Sequence, residues 1–491
     1  MVKLKKYDVI VIGGGILGCF AARNLARYDL CTAVLEESRD VCTGISRGNT
    51  AIIYPGYDTK PGTLKTTLCV KGCLDFEALC RQLGVHFEMR GSVMVAFGER
   101  GENVLRKKLA QGTENGVPNL SLLTKEEVLS RCPDITENVT AGLFCTHTGT
   151  VLPWELGISA FENAKANGIE FLFNEKVAAI HKSSDGFLIE TANGTFFTRS
   201  IINCAGLHAD EVREMVYEPQ VRIVPTKGDY FIFDTGAAPR GEHIIFCEPE
   251  KKGKGLTLVP TVTGNLLVGP AETPADGKYD FGTSAEGLDF LTKNLSEVFP
   301  SLDQSRIIRS FSALRPNPYY VSKNADGEYI PEERSISNFT VMRDAPNFIS
   351  FIGIKTPGLT CCDGLGKLAA DSVAEHLGAS PNINFNPVRS RPLKLAELSY
   401  DERSALVKAS PAYGSIVCRC RGISEGEIID AVRAGARTLD AIKRRTDASS
   451  GRCQGSFCTE KIIEIIAKEL KIPVSDVQKD RLGSKILEGL L

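Results

Sequence analysis

The chain has 491 residues, 43% of them hydrophobic and 24% charged, with a formal net charge of −2. That length exceeds one ordinary core and predicts two or three domains of globular composition. The near-neutral charge argues against a nucleic-acid or anionic-membrane binder, and no apolar run approaches the roughly 18 residues of a membrane-spanning helix.

Residues 7–12 (YDVIVI) form a short apolar, β-branched run, read as a buried parallel strand. The basic, apolar start could pass for a signal peptide, but it runs straight into a glycine motif that needs this strand, so the signal-peptide reading is rejected. The motif is Gly13-Gly14-Gly15-Ile16-Leu17-Gly18, followed by helical periodicity over 19–28. Strand, turn and helix are the context in which G-x-G-x-x-G signals dinucleotide binding. Gly13 allows the tight turn, Gly15 the approach of a pyrophosphate, and Gly18 the close packing of helix on strand. A second strand over 31–35 ends at Glu36, whose carboxylate suits ribose hydroxyls. The motif alone leaves FAD and NAD open.

Two later segments bear on that choice. An apolar strand at 200–202 runs into Asn203-Cys204-Ala205-Gly206-Leu207-His208-Ala209-Asp210. Gly353-Ile354-Lys355-Thr356-Pro357-Gly358-Leu359-Thr360 precedes a helix-like stretch at 365–377. The chain then passes a Pro- and Asn-rich linker at 378–392 to four cysteines, Cys418-x-Cys420 and, 32 residues on, Cys453-x4-Cys458. Four thiols in two close pairs suit an iron–sulfur cluster or a zinc ion. The other cysteines, out of sixteen in all, are expected to be reduced, buried, small hydrophobes rather than a disulfide framework.

The segments at 203–210 and 353–360 resemble the second FAD contact and the C-terminal flavin loop of the glycine oxidase and D-amino-acid oxidase superfamily. The resemblance implies FAD, held by Gly13, Gly15, Gly18, Glu36, Ser46, Val177, Ala205, Gly206, Gly353, Gly358, Leu359 and Thr360. Residues 40–72 (DVCTGISRGNTAIIYPGYDTKPGTLKTTLCVKG) look like FAD-dependent glycerol-3-phosphate dehydrogenases and the related L-2-hydroxyglutarate oxidases. So do 224–230, 253–270 and Ser312-Ala313-Leu314-Arg315-Pro316. The cysteine text, VCRCRGISEGEI and KRRTDASSGRCQGSFC, resembles the small helical 2Fe–2S domain of bacterioferritin-associated ferredoxin, the tail of anaerobic-type glycerol-3-phosphate dehydrogenases. That implies a 2Fe–2S cluster on Cys418, Cys420, Cys453 and Cys458.

The implied fold is an α/β FAD-binding Rossmann-type domain with an α+β antiparallel-sheet substrate domain and a small all-α iron–sulfur domain. The expected boundaries are 1–80, 150–215 and 340–380 for FAD, and 81–149 and 216–339 for substrate. A linker at 381–409, the cluster domain at 410–472 and a tail at 473–491 follow. The implied reaction is oxidation of glycerol 3-phosphate to dihydroxyacetone phosphate by hydride transfer to flavin, with electrons leaving through the cluster. The alternatives are a 2-hydroxy acid such as L-2-hydroxyglutarate, an amine or amino acid, or a non-catalytic electron-transfer subunit. A small anionic substrate, an electron-accepting subunit or quinone-linked partner, no nucleic acid and a cytoplasmic site are expected.

Three departures touch the substrate side. Tyr54 stands where a histidine is usual in the resembled family, Lys355 where an acidic residue is expected, and Asn317 opens an unusual run after the arginine. Oxidising an alcohol requires a proton acceptor within about 3 Å of the hydroxyl. Tyr54, His208 and a water held by Arg315 are the candidates, with His208 read first as structural. Arg315 offers a planar fork for phosphate or carboxylate, and Lys355 is a candidate second cation.

Overall fold

The computed structural model describes residues 4–239, 242–248 and 255–488; the expected substrate-domain residues Gly253 and Lys254 lie outside them. The chain divides into two units, Met1–Leu35 with Cys42–Arg389, and Glu36–Val41 with Ser390–Leu491.

The first unit contains two large sheets. In one, of eight strands among the described residues, Lys5–Ile12 pairs in parallel with Gly194–Asn203 on one side and with Thr32–Leu35 on the other. Phe348–Ile352 extends the sheet in parallel from Gly194–Asn203. Val9, Ile10 and Val11 are fully buried, as a β-branched run covered on both faces should be. The helices Ile16–Leu25 and Cys362–Leu377 pack together through Ala21, Ala22, Leu25, Leu365, Ala369 and Val373. The register places Ile12 beside Asn203, and Asn203 beside Ser350. The segments after these three strands therefore leave the sheet at the same end, where open α/β sheets bind ligands.

The second sheet has nine strands among the described residues. All neighbours run antiparallel except Ile244–Cys247 on Ser92–Ala96. The long strand Ile307–Lys323 pairs with Val221–Phe233, which sets Arg315 opposite Thr226 and Asn317 opposite Val224. The amphipathic helix Ala285–Val298 buries Leu291 and Leu295 against Phe231, Phe233 and Val268 on one face. A three-stranded sheet joins Ile52–Ile53, Gly149–Val151 and Phe87–Met89.

The second unit is built on Glu425–Arg433, Leu439–Thr446 and Thr459–Leu470, whose apolar stripes share a core of Ile428, Val432, Ile442, Ile462 and Ile466. Ser424 and Glu427 form a reciprocal cap that starts the first of these helices. Val477 is buried in the same core, and Gln478 bridges to Thr438. Within this unit Arg445 forks onto Asp40 at 2.7 Å to each oxygen, and Arg444 reaches Asp40 at 2.8 Å and Asp480 at 3.1 Å. Arg421 pairs with Asp447 at 3.1 Å. Three of the basic residues around the cysteine text are thus held in internal ion pairs.

Candidate active site

Gly13 has φ +102°, and a Cβ there would lie 2.6 Å from the Cys204 carbonyl oxygen. A Cβ on Gly18 would lie 1.9 Å from the Gly13 oxygen. Only glycine permits this turn and this approach. The Ile16–Leu25 helix starts without a cap from the Gly15 position; instead Ser46 Oγ accepts the Ile16 N–H at 2.9 Å. Ser46 therefore borders the positive helix end. Asn203 organises the next segment, its amide donating to Ala209 O at 2.7 Å and Ser350 Oγ at 3.1 Å and accepting from Ala205 N at 3.2 Å. Val177 begins a strand and is buried. Glu36 ends the Thr32–Glu36 strand, and its carboxylate accepts the Ser38 N–H at 2.8 Å.

The 353–361 loop meets a different set of residues. Gly358 N donates to Lys355 O at 2.8 Å, and Cys361 then caps the Cys362–Leu377 helix with no side-chain bond. Thr360 Oγ1 accepts the Tyr54 N–H at 2.9 Å. A Cβ on Gly72 would lie 2.4 Å from the Thr360 oxygen, so the Leu64–Leu83 helix presses directly on this loop. Gly353, at φ +66°, packs against Pro318. Leu359 completes the turn by lending its carbonyl to Cys362 N.

Three cations gather here. Burial, then Arg315, then Lys65 lower the Lys355 ammonium to about 8, with Glu272 opposing. Lys65 is lowered by burial and then by Arg315, and its Nζ donates to Ser337 O at 2.8 Å. Lys355 Nζ donates to Asn317 Oδ1 at 3.2 Å and Ser335 Oγ at 3.4 Å. Asn317 Nδ2 donates to Thr226 Oγ1 at 3.0 Å, and the Thr226 hydroxyl donates to Glu272 Oε1 at 2.8 Å. Tyr54 belongs to the same neighbourhood; its hydroxyl lies 3.2 Å from Thr50 Oγ1, and burial pushes its phenol up to about 12. His208 has other company, with Nδ1 2.9 Å from Glu211 Oε2 and its ring 5.2 Å from that of Tyr279.

In the second unit the cysteines form two pairs, each taking one residue from each motif. Cys420 Sγ lies 3.6 Å from Cys453 Sγ, and Cys418 is hydrogen-bonded to Cys458. The bond from Cys458, joined by backbone N–H groups of Ser449 and Arg421, draws the Cys418 thiol down to about 6. Backbone N–H groups of Gly455 and Phe457 point at Cys453. Cys458 occupies the N-cap of Thr459–Leu470. Amides aimed at sulfur stabilise thiolate ligands.

Residues 8–372 match the family described as FAD dependent oxidoreductase. The chain belongs to that family. Residues 416–468 of this oxidoreductase match the BFD-like 2Fe-2S binding domain. It is 39% identical over 488 residues to a glycerol 3-phosphate dehydrogenase of Caloramator mitchellensis, covering 98% of each chain. It is 27% identical to a glycerol 3-phosphate oxidase of Mycoplasma pneumoniae, over 77% of this chain and 97% of that one. The fold resembles the dithionite-reduced, FAD-bound L-alpha-glycerophosphate oxidase of Mycoplasma pneumoniae, with a TM-score of 0.72 at 24% identity over 80% of this chain and all of that one. It also resembles the FAD complex of glycerol-3-phosphate dehydrogenase from Bacillus halodurans, with a TM-score of 0.69 at 18% identity over 96% and 92%.

FAD and a 2Fe–2S cluster are the cofactors of this oxidoreductase. The residues fit both. Glycine at 13 and 18 keeps the strand–helix turn tight, and the helix starts at Gly15 and Cys361, neither capped by its own side chain, face a flavin nucleotide with their positive ends. Two sulfur pairs suit two irons, each taking two cysteines. No described helix is long and apolar enough to cross a membrane.

Lys65 was not among the residues expected in the site. A signal for it existed: the Leu64–Leu83 helix has no acidic residue in its first turn and places Lys65 there, against the helix dipole. The Thr226–Glu272 support of Asn317 had no such signal, because it depends on pairing between distant strands.

Proposed function

We propose that this oxidoreductase converts glycerol 3-phosphate to dihydroxyacetone phosphate, with FAD taking hydride from C2 and the 2Fe–2S cluster passing the electrons on singly. The observation that carries the substrate is the grouping of Arg315 and Lys65, close enough for the first to lower the second and for both to disfavour the ammonium of Lys355 beside them. Such a group suits one dianionic head and repels an ammonium, which argues against an amine. A dicarboxylate such as 2-hydroxyglutarate places its charges at two ends, whereas the cations here form one cluster. The name of the 39% identical relative supports the same substrate.

In this reading Arg315 offers its fork to the phosphate and Lys65 adds a point charge. Tyr54, protonated through the neutral range, lends a hydroxyl hydrogen bond. His208, paired with Glu211, holds the 206–208 turn rather than the substrate. Gly13, Gly15, Gly18, Ser46, Val177, Ala205, Gly206, Gly353, Gly358, Leu359 and Thr360 line the FAD, and Cys418, Cys420, Cys453 and Cys458 ligate the cluster. The electrons pass to a protein subunit or quinone-linked partner from a cytoplasmic enzyme.

Anaerobic addition of single substrates to the oxidised holoenzyme tests this. Glycerol 3-phosphate should bleach the flavin while L-2-hydroxyglutarate, lactate and sarcosine leave it coloured. Bleaching by one of the others and not by glycerol 3-phosphate sinks the assignment.

A further inference from the structure

We propose that Lys355, aimed by Asn317 and flanked by Arg315 and Lys65, is the catalytic base that takes the hydroxyl proton of the alcohol substrate. The inference rests on the reading of this site as one that oxidises an anionic secondary alcohol. In the step, the C–H electron pair leaves as hydride to the oxidised flavin. The O–H electron pair becomes the second bond of the carbonyl, and the proton goes to the Lys355 lone pair, turning amine into ammonium.

The hydrogen bonds around Lys355 fix its direction and leave one position on its nitrogen unused. A carboxylate only accepts, so Glu272 must receive the Thr226 hydroxyl proton. The Thr226 oxygen then accepts from the Asn317 amide nitrogen, and this turns the Asn317 oxygen towards Lys355. Asn317 Oδ1 and Ser335 Oγ together take two N–H donors from Lys355 Nζ. Once neutral, the amine has both of its N–H donors used there, and its lone pair remains for a substrate proton.

The charges facing Lys355 act in the same sense. Arg315 from the Ile307–Lys323 strand and Lys65 from the Leu64–Leu83 helix both disfavour its ammonium form, as burial does, and only Glu272 opposes them. Burial beside other cations is a recognised way to activate a lysine near neutral pH. The rival bases are poorly placed. The Tyr54 phenol is pushed up to about 12, and His208 is engaged with Glu211.

The sign of the pH dependence follows. Lys355 must be neutral to accept a proton, so kcat/KM for anaerobic flavin reduction should rise with pH and level off above about 8. A bound dianion favours the ammonium, so the corresponding limb of kcat should sit at higher pH.

The test uses the FAD- and cluster-loaded enzyme and whichever alcohol bleaches its flavin, so a substrate other than glycerol 3-phosphate leaves the test intact. Lys355→Arg keeps the charge but cannot lose its proton. It should bind the ketone product of that alcohol (dihydroxyacetone phosphate for glycerol 3-phosphate) within a few-fold of wild type, yet reduce its flavin about 10²–10⁴-fold more slowly. Lys355→Ala should recover rate with added primary alkylamines, in proportion to their basicity. Independently of turnover, binding of inorganic phosphate near pH 8 should take up a proton in calorimetry, and Lys355→Met should abolish that uptake. Near-wild-type flavin reduction by Lys355→Arg overturns the proposal, as does a wild-type rate that is flat between pH 6 and 10. Failure of every alcohol to bleach the flavin overturns both this inference and the reading beneath it.

Discussion

The Cys420 sulfur lies 3.6 Å from the Cys453 sulfur, although 32 residues and two helices separate them in the chain. Cys418 and Cys458 meet in the same way, so each close pair crosses between the two motifs. A cluster held by such pairs ties the strand Ile416–Cys418 to the helix Thr459–Leu470.

Cys420→Ser or Cys453→Ser should therefore lose most of the bound iron and the absorption at wavelengths longer than flavin absorbs, while FAD content stays near wild type. The substrate should still bleach the flavin, but transfer to an artificial one-electron acceptor should slow by an order of magnitude or more. Iron-to-flavin ratios and stopped-flow reduction measure both. An unchanged iron content would remove these residues from the ligand set.

Gly18→Ala should yield protein depleted of FAD. Its methyl would stand 1.9 Å from the Gly13 oxygen, so the strand–helix turn has to open. Such overpacking costs about 1–3 kcal/mol, and the cofactor cradle bears the displacement. The flavin-to-protein absorbance ratio after purification reads this directly.

Asp40→Asn should destabilise the second unit. Burial alone would raise the Asp40 pKa, but Arg445 and Arg444 outweigh it and hold the carboxyl down at about 2. A depressed carboxylate stabilises the fold fully above its unfolded pKa of about 3.9, and this contribution is lost as pH falls towards about 2. Removing one member of a buried ion group leaves the others uncompensated, at a cost of about 3–5 kcal/mol. Urea unfolding at pH 7, followed through the cluster absorbance, should show that loss. The gap between variant and wild type should narrow in acid.

Lys65→Met should raise the KM for a phosphate-bearing substrate about 10–100-fold, the equivalent of a charged hydrogen bond worth about 1.5–3 kcal/mol. It should also move the pH limb of kcat/KM upward. Loss of a neighbouring positive charge relieves Lys355, whose pKa then climbs back towards that of an ordinary lysine. A raised KM with an unmoved limb would show that Lys65 binds substrate without shaping the Lys355 environment.

Local sequence patterns determined a large part of this molecule. The buried run YDVIVI and the Gly13–Gly18 turn marked a dinucleotide end, because each encodes its conformation within a few residues, and the resemblance of the two later glycine segments to the oxidase superfamily implied that the nucleotide is FAD. The paired cysteines marked a metal site, open between zinc and iron–sulfur until the resemblance of the surrounding text pointed to the cluster. Tertiary structure alone decided how the substrate side is charged. Arg315 and Asn317 sit on one strand, Thr226 on the strand beside it and Glu272 on the strand beyond that, Lys65 on a helix near the start of the chain, and Lys355 on a loop near the end of the flavin unit. No spacing in the sequence relates them. They act on one another only because antiparallel pairing and the pressure of the Leu64–Leu83 helix on Thr360 bring their charges into a partly dehydrated space, where Coulomb interactions are strong enough to move a lysine's proton.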